Sequence, residues 1–286
     1  MFDRIAYGWE LTKESARVLR LDKELLVFPL LSGVSCLLVL AGFGLPLWNS
    51  EYASVIFNEG ALQDELAKDP LAYVIAFAFF AVNYFVIVFF NSALVSCAII
   101  RFKGGDPTVA DGFRIAFSRL PVILAWSLVS ATVGFVLRII ESRSERAGQI
   151  AAALLGAGWT IATYFVVPVL VVEQVGPIQA VKRSLSVLSR TWGEAVTAGF
   201  SKGFFVFLAT LVAIIPLVAG MFAIGAGLIA VGAALIACGV VALLVVSLVS
   251  TALDSILLAA LYLYAAEGGV PRHFDDGLLE HAFGHR

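Results

Sequence analysis

The chain has 286 residues, of which 60% are hydrophobic and 14% charged, and its formal net charge is −2. Soluble domains carry about 25% charged residues, and a balance this close to neutral offers no basic excess for nucleic acid. The missing charge is concentrated: Leu71 to Ile100 has none, and Ala195 to Ala266 has only Lys202 and Asp254. Such runs exclude an ordinary soluble domain and fit a bilayer, whose hydrocarbon core takes roughly 20 apolar residues per helix.

Residues 1–24 mix acids and bases without a cleavage pattern, so they do not read as a signal peptide. Within them, about 2–20 reads as an amphipathic interfacial helix with Ile5, Trp9, Ala16 and Leu19 apolar and Arg20 at its end. The first span is placed at about 25–48, with Trp48 as an interfacial anchor. An acidic loop follows, then a second span at about 71–100, stopped by Arg101 and Lys103 and broken by Gly104-Gly105-Asp106-Pro107. Residues 108–120 repeat the interfacial pattern: Phe113, Ala116, Phe117 and Leu120 keep helical spacing while Asp111, Arg114 and Ser118 lie off that face. Spans at about 121–140 and 148–172 come next. A further interfacial helix at 176–192 sets Ile178, Val181, Leu185 and Leu188 against Lys182 and Arg183. The last apolar block admits two long helices or three short ones. Two are expected, at about 195–220 and 234–266, joined by the Gly/Ala-rich stretch between them, with Pro216 placed to kink the first.

Alternating these spans from a cytoplasmic N-terminus puts 15 of the 19 Lys and Arg inside and only Lys68, Arg138, Arg143 and Arg146 outside. Positive charge resists translocation, so both termini are expected in the cytoplasm. The same count barely constrains the choice between two and three helices in the last block. An internal echo accompanies the layout. Gly105 lies fourteen residues before Arg119, and Gly176 fourteen before Arg190, each Arg following a Ser. Residues 6–20 are a looser third copy. The fold class expected is therefore all-α integral membrane, a single domain over 1–286, with six transmembrane helices and amphipathic interfacial helices. An interfacial helix followed by a helical hairpin, used three times, is the repeat the echo suggests, with chance similarity as its rival.

Two stretches, GWELTKESARVLRLDKELLVFPLLSG at 8–33 and ALYLYAAEGGVPRHFDDGLLEHAF at 260–283, together with Gly176-Pro177 and Ala180 to Arg190, carry a family resemblance. The chain resembles an uncharacterised prokaryotic family of integral membrane proteins, a domain of unknown function. That family is distantly similar to the membrane domain of some glycerophosphodiester phosphodiesterases. The resemblance implies the six-helix layout and no catalytic residues, because the phosphodiester chemistry of those proteins sits in a separate domain for which this chain has no room.

Asp254 is the sharpest single mark, placed near the middle of the last span, where a carboxylate costs a few kcal/mol unless it pairs or is protonated. It reads as a proton or cation site, or as a neutral acid bonded to a neighbouring Ser or Thr. Pairing with Lys202 is not expected, because Lys202 is placed shallower. Asn83 and Asn91 share a face of the second span, continued by Ser92 and Ser96, and read as a polar path or as hydrogen bonds between helices. Arg114, Arg119, Lys182, Arg183 and Arg190 are the basic residues expected at the lipid interface. Small residues recur at Gly148, Ala152, Gly156 and Thr160, and at Ala226, Ala230, Ala234 and Cys238, as close-packing stripes. Cys36, Cys97 and Cys238 sit in apolar runs and read as free thiols. His273, His281 and His285 lie near Asp275, Asp276 and Glu280 without the spacing of a metal cage. No cofactor or metal site is expected, and no GxSxG, HExxH, P-loop or dinucleotide fingerprint occurs. The expectation is a non-enzymatic multi-pass protein of a prokaryotic cytoplasmic (inner) membrane. Its partners are membrane lipids, a membrane protein or a second copy of itself. The alternative is a small transporter or channel for ions or lipid-like solutes.

Overall fold

A computed structural model describes residues 2–48, 70–143 and 147–267, with side chains over 12–46, 71, 73–141, 148–190 and 202–266. The described residues form helices and no strands. In chain order these are α1 (Phe2–Leu21), a 3-10 turn (Lys23–Leu26), α2 (Val27–Trp48), α3 (Pro70–Phe102), α4 (Val109–Ser118), α5 (Leu120–Arg143), α6 (Ala147–Ala162), α7 (Val166–Glu173), α8 (Pro177–Gly225) and α9 (Ile229–Glu267). Pro70 and Pro177 open α3 and α8 at the position where a missing N–H costs nothing.

Among the described residues, six stretches are long and apolar enough to cross a membrane: Lys23–Pro46, Tyr73–Phe102, Leu120–Glu141, Gly148–Glu173, Lys202–Gly225 and Ile229–Ala266. The last block therefore holds two crossings, as expected, but the joint is tighter than the sequence suggested. Residues 221–225 and 229–233 are helical, and only 226–228 lie outside helix. Gly227, at φ 84°, supplies the left-handed residue. Leu228 N–H closes onto the Ala223 carbonyl at 2.9 Å and Gly227 N–H onto that of Ile224 at 3.0 Å. This is the glycine-dependent way of ending a helix. The same construction ends α3, with Gly104 at φ 85° and Gly105 N–H bonded to the Ile100 carbonyl at 3.0 Å.

The chain divides into two units, one of Met1–Pro29, Cys97–Val109 and Ser189–Arg286, the other of Leu30–Ser96 and Ala110–Leu188. In the first unit α1 packs along α9. Burial along α9 changes abruptly. Ala252, Ile256, Leu257, Ala259, Ala260, Leu261 and Tyr262 are buried, whereas Ile229, Val231, Val241, Leu244 and Val245 are more than half exposed. The outer parts of α8 and α9 meet through glycines. A Cβ on Gly232 would stand 2.7 Å from the Gly220 carbonyl oxygen, and one on Gly239 would stand 2.5 Å from Leu217 Cγ. The expected stripe of Ala226, Ala230, Ala234 and Cys238 is not the packed face: all four are exposed. Gly232 and Gly239, buried and seven apart, take that place.

In the second unit, Tyr73, Phe77 and Phe80 of α3 meet Phe135 of α5. Phe89 and Phe90 hold Phe113 and Phe117 of α4. α5 runs along α6, and Trp126 stacks on Trp159 with ring centroids 5.6 Å apart. The fourth crossing, expected as one helix, is broken at Thr163–Phe165. Pro168 opposes a continuous helix there. It has no N–H for the Tyr164 carbonyl, and its ring collides with that carbonyl in a continuous helix. It is accommodated in the first turn of a new helix, α7.

Candidate functional site

Two charge clusters of the first unit join residues far apart in the chain. Asp22 opens the 3-10 turn, its carbonyl accepting the Leu25 N–H at 3.0 Å. Its carboxylate is gripped by Arg101 from the last turn of α3, Nε donating to Oδ2 at 2.5 Å and Nη2 to Oδ1. Nη2 also reaches Asp106. Asp22 is buried at 8% side-chain exposure and Asp106 is almost bare at 92%. The two-pronged bond to Asp22 is the strong arm, since it is charge-assisted, bidentate and shielded. It ties the entry of the first crossing to the exit of the second. Arg101 had read only as a stop signal, and nothing marked Asp22. No sequence signal pairs two residues 79 positions apart.

The second cluster is at Asp254. Lys202 Nζ donates to its carboxylate, contrary to the expectation that the two lie at different depths. The hairpin turn explains the difference. Lys202 lies 23 residues before the end of α8 and Asp254 lies 25 after the start of α9. At about 1.5 Å per residue both are more than 30 Å from the turn, so Asp254 stands level with Lys202. It does not turn into protein as expected, either: its side chain is 57% exposed, whereas that of Lys202 is 12% exposed.

Asn83 and Asn91 belong to the second unit. Asn83 Nδ2 donates to the Phe79 carbonyl of its own helix at 2.9 Å, so its amide is turned along α3 instead of across to a neighbour. Asn91 is half-buried. Ser92 and Ser96 are buried, and Ser96 Oγ donates to the Ser92 carbonyl at 2.6 Å. The broken fourth crossing is closed by a residue the sequence reading passed over. Ser184 Oγ accepts the buried Phe165 N–H at 2.9 Å, and Ser184 is itself fully buried. Backbone freed at membrane depth has to find a partner inside the protein, and a serine hydroxyl is a usual one.

The basic residues expected at the lipid interface divide. Arg119 Nε donates to the Val171 carbonyl at 3.1 Å, near the C-terminal end of α7, where carbonyl oxygens favour a cation. Arg183 pairs with Glu173 at 2.7 Å, and Arg114 with Asp111 one turn before it. Lys182 and Arg190 are exposed. The first turns of α8 bury one face and leave another open. Ala180, Ser184, Val187 and Leu188 face inward, while Ile178 and Leu185 stay exposed. No group of three or more His, Cys, Asp or Glu stands close enough to hold a metal among the described residues. The tail residues His273, His281 and His285 lie outside them, as do the side chains of Trp9 and Trp48.

Six apolar crossings, paired charges at their ends and polar backbone repaired from within define an all-helical multi-pass membrane protein. The chain belongs to the family of unknown function DUF6159, which matches residues 71–271. The match takes in α3 to α9, five of the six crossings. No curated protein and no solved structure matches the chain.

Proposed function

We propose that the chain is a non-enzymatic component of a prokaryotic cytoplasmic membrane, with both termini inside, that binds lipids or a partner membrane protein. One observation carries this reading. Ionisable side chains at several crossing ends pair with one another, at Arg101–Asp22, Lys202–Asp254 and Arg183–Glu173, while the outward faces of the crossings are apolar. The exposed Ile178 and Leu185 beside Lys182 and Arg190 suit a helix lying on an anionic leaflet. A distant likeness to the membrane domain of glycerophosphodiester phosphodiesterases, resting on residues 8–33 and 260–283, fits an accessory role of this kind. Purification from native membranes in mild detergent, with lipids and proteins identified by mass spectrometry, is the test. A lipid class or protein enriched over an unrelated six-span control supports the proposal, and retention no different from the control overturns it. The rival reading, a small transporter for ions or lipid-like solutes, rests on Asp254. It requires flux in proteoliposomes that Asp254→Asn abolishes without unfolding the protein.

A further inference from the structure

We draw no further inference here: the strongest candidate, the Lys202–Asp254 ion pair between α8 and α9, belongs to the site already described, and among the described residues nothing beside it points to a ligand.

Discussion

At the scale of single residues, two ion pairs of the first unit, Asp22–Arg101 and Lys202–Asp254, have opposite character, and burial decides it. Asp22 and Arg101 are shielded, at 8% and 17% side-chain exposure, so removing one leaves a charge that water reaches poorly. Arg101→Leu is expected to cost about 3 kcal/mol, the usual penalty for orphaning one partner of a buried pair. Asp106→Ala, which removes the bare arm of the same cluster, should stay within about 0.5 kcal/mol. Thermal unfolding of the purified variants in detergent checks both, and equal losses would contradict the assignment of the strong arm. Lys202–Asp254 is a pair with one side open. A double-mutant cycle with Lys202→Gln and Asp254→Asn is expected to give a coupling of about 1 kcal/mol that falls with added salt. A coupling of several kcal/mol indifferent to salt would contradict the exposure of Asp254. That Lys202 and Asp254 stand level was not legible in the sequence. The Gly/Ala-rich stretch hid a turn of three residues, and moving a turn changes which residues of the two helices face each other.

At the scale of elements, the crossings were legible because a lipid-facing helix needs nothing but length and apolarity, and both are countable. What interrupts a crossing depends on residues far along the chain. Thr163–Phe165 lie in a run that reads as uninterrupted helix. Pro168 alone does not decide between a kink and a break. The break is stable because Ser184, nineteen positions on, accepts the freed Phe165 N–H. Ser184→Ala should therefore cost about 1–3 kcal/mol, the penalty of a buried donor left without an acceptor. Thr160→Ala is the control, since that hydroxyl bonds the Gly156 carbonyl of its own helix and its residue is exposed. It should shift the melting temperature little. Equal shifts for the two variants would mean that Ser184 does not repair the break. The three amphipathic segments show the same limit of sequence reading. Their apolar periodicity predicts helices, and helices form. Which residues of 177–188 turn into the protein was not legible, because Ala180 and Ser184 are buried for their small size and not for their hydropathy.

At the scale of the whole molecule, an even number of crossings, such as the six candidates among the described residues, would put both termini on one side, and the basic residues would choose the side. The prediction is that an impermeant maleimide applied to intact cells reaches cysteines introduced at Gly60, Glu141 and Ser144 and does not reach those at Thr108, Lys182 and Glu280, in a chain whose Cys36, Cys97 and Cys238 have been replaced. Residues 60, 144 and 280 lie outside the described residues, so Glu141 and Lys182 supply the structural anchors: the first is 48% exposed at the end of α5, the second exposed at the start of α8. The choice of Lys182 matters. A cysteine at Ala180, on the same turn, would be fully buried and escape the reagent on either side of the membrane. Permeabilised cells should label all six positions, which separates sidedness from burial. Outside labelling at Thr108 and Lys182, with Gly60 and Glu141 protected until permeabilisation, would invert the topology. Outside labelling at Glu280 alone would require an odd number of crossings, and would contradict the two-helix hairpin on which the position of Asp254 depends.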